Sequence, residues 1–366
     1  MSGLAFKPNA AEAIARLRRL YARKATDRAF ASFELPSPAL AEFARRYPHG
    51  FCEYPDLEQR VDFWRRRLAE RAALEDDSIP SAYLSEMDQG LYGGLFGGRV
   101  QFMAHPENGW ISSMVAPLLA DFAEFDRLAF DSHHEWFQRY LRQLHAFVAA
   151  ARGKFGVSHF ILINGLNFVF ELVGATQTYL SLDERPDWVR QAIEAAFHLN
   201  RAIQRWFFER VGLFKGGTFS NMVEWIPGRI VSESIDPFHM TSVGYFEEWG
   251  RPVVERIFAE FDGGVIHIHG NGRHLLEAAS TLRGLKAIFL GDDKGFPLAF
   301  DVLEELRRRS GDVPLVVQTD LPRFVAALDG DGLIGGVHYK VSGAASADEV
   351  NRLMDRVRQS RRPARP

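Results

Sequence analysis

Cysteine occurs once in the 366 residues, at Cys52. That excludes an internal disulfide and any metal or iron–sulfur site built from several thiolates. It suits a reducing compartment, and a cytoplasmic location is expected. Charge of one sign is also lacking. A net charge of -3 gives no strong field for nucleic acid or an anionic membrane. Long apolar runs are absent too. Met1 to Ala25 mixes charged and apolar residues, unlike a signal peptide or anchor, and no window approaches a membrane span. What the chain does have is 46% hydrophobic residues, enough for a large core. Its 30 phenylalanines read first as core filling and second as lining for an apolar pocket. The length exceeds a typical domain, but barrels of alternating strand and helix run this long as one unit.

Residues 10–24 place Ile14, Leu17, Leu20 and Tyr21 on one helical face, with Asn9 as the cap. Phe30 to Pro38 is broken by prolines and reads as extended linker. Two more helices are expected near Pro38–Arg46 and Asp56–Leu74, so 1–75 reads as an N-terminal helical extension. Strands follow at Ile79–Leu84, Arg99–Ala104 and Val157–Ile163. Trp110–Ser113 reads as the entry to a helix capped by Ser112 or Ser113, and long helices are expected over 125–153 and 186–211. From Arg229 the rhythm is regular. Strands at 229–235, 264–269, 285–290, 314–318 and 333–341 are each followed by a helix. Counting back to Ile79 leaves room for about eight strands, which favours an α/β fold of the (βα)8 TIM type over 76–360. An open doubly wound sheet is the alternative. The tail, 361–366, reads as frayed.

In such a barrel, function gathers where strands end. The residues there are Asp88, Asn164, Asp236, His267, His269, Asp292, Gln318 and His338 with Lys340. In Val265-Ile266-His267-Ile268-His269-Gly270, alternation sends both imidazoles to one face. Imidazole is the commonest metal ligand, so His267, His269 and His338 are the candidate metal ligands. Asp88, Asp236 and Lys340 are the candidate catalytic groups, and Gln89, Trp110, Asn164 and Gln318 are candidate substrate contacts. The glycine-rich run 89–98 lacks the Gly-Lys-Ser/Thr ending of a phosphate loop. Its glycines are expected to admit a ligand or a neighbouring chain, with Leu91–Phe96 as a pocket wall or a homodimer contact. His133, His134 and His145 are expected to be solvated.

Ser232-Glu233-Ser234-Ile235-Asp236, then Met240-Thr241-Ser242, Tyr245–Trp249 and Pro252, followed by His267-Ile268-His269-Gly270-Asn271 and His338–Gly343 with the helix after it, resemble the uroporphyrinogen decarboxylase superfamily. Of these stretches, His267-Ile268-His269-Gly270-Asn271 is similar to the family's His-x-Cys-Gly-Asn motif. The resemblance runs from about Ile79 to Arg358 and implies a (βα)8 barrel with its pocket at the C-terminal mouth. One branch of the superfamily decarboxylates a tetrapyrrole without metal. Its Met-Arg-Gln-Ala-Gly-Arg motif is replaced here by Leu84-Ser85-Glu86-Met87-Asp88-Gln89-Gly90. The other branch moves a methyl group between a corrinoid protein and a thiol, with zinc held by one His and two Cys. That resemblance places the His on His267, the first Cys on His269 and the second near Ser342, with His338, Asp236 or Glu233 as replacement third ligands.

The leading expectation is a methyltransferase-like barrel enzyme, zinc-assisted, acting on a small methylated compound or a methyl group on a corrinoid bound to a partner protein. The alternatives are a metal-independent decarboxylase or lyase using Asp88 with a histidine, and a non-catalytic small-molecule-binding barrel. No nucleic-acid or membrane partner is expected.

Overall fold

The computed structural model describes residues 3–119 and 130–360. The tail 361–366, and residues 125–129 of the expected helix 125–153, lie outside the described residues. In chain order the elements are α1 (Ala10–Tyr21), β1 (Phe30–Phe33), α2 (Pro38–Arg46), β2 (Gly50–Cys52), α3 (Leu57–Ala69), β3 (Ser81–Tyr83), α4 (Gln89–Leu95), β4 (Gln101–His105), β5 (Trp110–Met114), α5 (Glu135–Ala151), β6 (Gly156–Ser158), α6 (Gly165–Glu184) and α7 (Pro186–Val211). There follow β7 (Gly217–Ser220), β8 (Glu224–Pro227), β9 (Val231–Ser234), α8 (Val243–Tyr245), α9 (Arg251–Glu260), β10 (Gly264–Ile268), α10 (Leu276–Ser280), β11 (Leu285–Leu290), α11 (Leu303–Ser310), β12 (Leu315–Asp320), α12 (Leu321–Asp329), β13 (Val337–Ser342) and α13 (Ala347–Gln359). Side-chain caps start several helices. Ser37 accepts from Leu40 N, Asp56 from Gln59 N, Asp320 from Arg323 N and Ser346 from Glu349 N. Asn9 stands before α1 but makes no such bond.

Six strands form one parallel sheet in the order β1-β13-β12-β11-β10-β9, and β3 pairs separately with β6. Among the described residues the ladders do not close into a ring, which corrects the expectation of a closed eight-stranded barrel. Single contacts span the two seams. At one, Leu162 bridges Glu233, with Leu162 N donating to Ser232 O over 2.9 Å. At the other, Asp77 N donates to Ala31 O, and two carboxylates stand in for a strand. Asp77 accepts from Ala31 N at 3.0 Å and Asp76 from Phe33 N at 2.8 Å. Those amides would otherwise be buried donors without partners. Phe30–Phe33 therefore belongs to the main sheet and is no linker. Its residues are wholly buried and pair in parallel with β13. The prolines that suggested a linker lie beyond its end.

Asp76 is itself buried and bridged to Lys7, whose ammonium also donates to Leu74 O and Asp76 O. Burial alone would raise the Asp76 pKa. The charges of Lys7 and Arg71, with hydrogen bonds from Lys7 and Ser78, reverse that and hold it at about 2. A carboxyl with a depressed folded-state pKa contributes stability that is complete above its unfolded value and is lost as pH falls through the folded one. Stability is thus expected to drop by about 2 kcal/mol between about pH 4 and pH 2 from this group. Urea midpoints across that range, compared with Asp76→Asn, would check it. An unchanged pH slope in the variant would reject the assignment.

Alternation splits the sheet into two faces. Ile266, Ile268, Ile288, Leu290, Val317 and Tyr339 face the surrounding helices. Val265, Ala287, Val316 and Phe30 face the concave side, where they pack on Leu17 and Leu20 of α1 and on Phe219, Met222 and Trp225 of the β7–β8 hairpin. This hairpin had no counterpart in the sequence reading, although Gly216-Gly217 and Gly228 flank it. It fills one end of the concave face and takes up Lys340 of β13 at its tip, while His267, near the end of β10, lies toward the other end.

Two further expectations change. Trp110–Met114 is a strand antiparallel to β4, not a helix entry. The Asp88 carboxylate ties its Ser113 N and Oγ. The glycine-rich run forms α4, with Leu91, Tyr92 and Leu95 buried. A Cβ at Gly90, Gly93 or Gly94 would overlap Ser113, Val115 or Trp136, so these glycines serve packing within the chain. Among the described residues, no helix is long and apolar enough to cross a membrane.

Candidate metal centre

Beyond β9, a single 3-10 turn runs from Asp236 to Met240. Beyond β10, another starts at Gly270. The two turns sit side by side, and three side chains converge between them. Nε2 of His267 lies 2.9 Å from Oδ1 of Asp236, and Nε2 of His269 lies 4.0 Å from the same oxygen. One ligand atom from each of the three residues lies within 4.8 Å of the others. A tetrahedral ion with bonds of about 2.0–2.2 Å spaces its ligands about 3.3–3.5 Å apart, between the two observed separations. Oδ1 of Asp236 and Nδ1 of His267 are buried without an aligned hydrogen-bond partner. Two imidazoles and a carboxylate are a donor set that zinc accepts, so the residues present fit the group that the resemblance implies.

His269 is oriented from behind. Its Nδ1 lies 3.0 Å from Oδ1 of Asp293, so Nε2 is left for the site. This carboxylate–imidazole pair is the usual support of a metal-binding histidine. The loop that carries Asp293 is fixed in turn by Asp292, which accepts from Arg273 at 3.1 Å and from Ala299 N at 2.7 Å. His239 completes the surroundings. Its Nδ1 is 3.6 Å from Asp236 Oδ1 and its ring centroid 5.7 Å from that of His269. A Cβ at Gly272 would overlap the His239 ring, which is why the second glycine of Gly270-Asn271-Gly272 is needed. Burial pushes the His239 pKa down to about 4 despite Asp236, so the ring is neutral. Burial would raise the Asp236 pKa, but His267 beside it, and His239 and His269 more weakly, hold the carboxyl well below the usual carboxylate range.

His338 is not in this cluster. It lies on β13, with β11 and β12 between it and β10. It is fully buried, with Nε2 3.1 Å from Ser32 Oγ, and burial lowers its pKa. The alternation that put it on the same face as His267 was sound, but the strand order separates them. Lys340 is held by the hairpin tip, donating to Asn221 O at 2.6 Å with Glu224 at 3.6 Å. Asp88 bonds to Ser113 and the Gln89 backbone, and burial pushes its pKa up to about 7. Gln89 opens α4 beside it. Trp110 packs on Tyr83 with ring centroids 4.9 Å apart. Asn164 is buried and donates to Glu233, while Gln318 is exposed beside Lys340 in the β12–β13 register. His134 accepts from Trp136 N as the cap of α5, and His145 is exposed.

The sequence reading missed the roles of His239 and Asp293. Both left a signal, one three residues beyond Asp236 and the other in Gly291-Asp292-Asp293 at a strand end.

No family model matches the chain, and no curated protein matches it. Among solved structures, a methyltransferase from Methanosarcina mazei superposes over 97% of this chain and 99% of its own, with a TM-score of 0.58 and 13% sequence identity. The chain is similar in fold to that methyltransferase. At this identity the likeness concerns architecture, and the chemistry must be argued from the site.

Proposed function

We propose that this chain is a methyltransferase-like enzyme of the TIM-barrel type, with β1, β3, β6 and β9–β13 as its eight strands and a metal held by Asp236, His267 and His269. The observation that carries the reading is the convergence of those three donors at the C-terminal ends of β9 and β10, where such folds keep their chemistry. The fold of the methyltransferase neighbour supports it. Zinc in this site would supply Lewis acidity, lowering the pKa of an acceptor thiol or water in an open position. The chain's own residues prepare for that. His267 and His269 present ring nitrogens to the site, Asp293 fixes the orientation of the His269 ring, and Asp236 stays anionic. Met240 and Phe296, exposed at 73% and 45%, give the rim an apolar surface for a small methylated compound or a corrinoid carried by a partner protein.

Untagged protein reconstituted with zinc should hold metal that survives gel filtration. His267→Ala combined with His269→Ala should lose it and with it methyl transfer from methylcobalamin to a thiol panel. Reconstituted wild-type protein that elutes metal-free would overturn the proposal. A metal-independent lyase is the second reading, favoured by Asp88 near neutrality at a strand end. It requires turnover in chelator and its loss in Asp88→Asn.

A further inference from the structure

A second group of metal-ligating side chains lies on the small sheet β2-β4-β5, apart from the centre just described. The register pairs Gly50 with Ala104 and Phe51 with Met103. One step further along this antiparallel pair, His49 stands opposite His105. Directly opposed residues on one face of such a pair have Cβ atoms about 4.5–5.5 Å apart. The two imidazole centroids are accordingly 6.0 Å apart, edge to face. Gly50 takes a φ of +117°, a conformation that glycine reaches without strain, and this bend brings His49 onto the strand end.

The turn after β4 adds a carboxylate. Asn108 N and Gly109 N both donate to His105 O, so the chain folds back tightly and presents Glu107, with Oε1 3.6 Å from His105 Nδ1. One ligand atom from each of His49, His105 and Glu107 lies within 4.8 Å of the others. The His105 ring is also oriented. Ser112 on β5 holds its Nε2 at 2.9 Å, leaving Nδ1 on the side of Glu107. This is the support that metal-binding histidines commonly receive from a second polar group. Cys52 takes no part, because alternation turns it to the opposite face from Phe51 and His49.

We propose that His49, His105 and Glu107 form a second binding site for a divalent transition ion, zinc or one that binds imidazole more strongly. Imidazole and carboxylate donors suit zinc and copper over magnesium or calcium. The ion would clamp the entry to β2 against the end of β4. Both histidines and the glutamate reach solvent, so the site can fill and empty without unfolding the sheet.

Stoichiometry separates this site from the one at Asp236. Full-length untagged protein, stripped with chelator, would be titrated with zinc alone by calorimetry. The wild type should bind one more equivalent than His49→Ala with His105→Ala, and His267→Ala with His269→Ala should retain the binding event that the first variant loses. Zinc should also raise the Tm of the His267/His269 variant and leave the four-histidine variant unmoved. Glu107→Gln, which keeps the fold and both imidazoles, should weaken the event without removing it. Equal stoichiometry in wild type and the His49/His105 variant, or no zinc-dependent Tm shift in the His267/His269 variant, would overturn the site whatever happens at Asp236.

Discussion

Asp236→Ala is expected to abolish zinc binding at the proposed centre between β9 and β10. Asp236 is the one carboxylate in the donor set, and His267 and His269 both lie within 4.0 Å of its Oδ1. Its loss also leaves His267 Nε2 facing no anion in a largely buried position. Asp293→Ala is the graded companion. It spares all three ligands but frees the His269 ring that Asp293 holds at 3.0 Å. Loss of such a supporting group typically weakens metal affinity about 10–100-fold, so Asp236→Ala should cost more than that and Asp293→Ala about that much. Competition with a chromophoric chelator measures both. Equal and small losses in the two variants would mean that Asp236 is no ligand.

Glu86→Ala should destabilise the fold by about 3–5 kcal/mol, the usual consequence of removing one partner of a buried ion pair. Arg60 and Glu86 form such a pair, with side-chain exposures of 2% and 1%. The second Glu86 oxygen accepts from Gln143 at 2.7 Å, and Arg60 donates to Gly109 O at 2.9 Å. Its guanidinium lies 5.1 Å from the ring centre of Phe43 and 4.8 Å from that of Phe63. The pair thus joins α2, α3, α5 and the β4–β5 turn to the end of β3. Alanine leaves the Arg60 charge buried and unpaired. Glu86→Leu with Arg60→Met removes both charges at similar volume and should recover most of the loss. Urea denaturation of the three proteins tests this. A single variant within about 1 kcal/mol of wild type would show the charge to be solvated on relaxation.

Mostly apolar segments between turn residues were legible as strands, because a parallel strand covered on both faces has little polar side to show, although of the expected strand Val157–Ile163 only Gly156–Ser158 pairs as β6. Leu285–Leu290 and the helix Pro186–Val211 have the expected bounds. β1 was not legible. Four residues between prolines and a charged run carry no periodicity, and its partner β13 lies more than 300 residues away. The β5 strand was hidden for a related reason, since Ser112 and Ser113 resemble a cap until Asp88 is seen to hold the Ser113 amide.

The centre divides in the same way. The sequence alone determined that His267 and His269 share a face at a strand end, because period-two alternation is local geometry. It also determined that thiolates could not build the site, there being one cysteine. Tertiary structure alone decided which third side chain meets them. Along the chain His338 is the nearest replacement ligand and Asp236 an alternative, but His338 stands second in β13 while Asp236 lies just past the end of β9. Strand order sets β13 three places from β10 and β9 next to it, so Asp236 reaches the histidines and His338 bonds to Ser32. Which strands are neighbours is fixed by long-range packing, a quantity with no local signature in the chain.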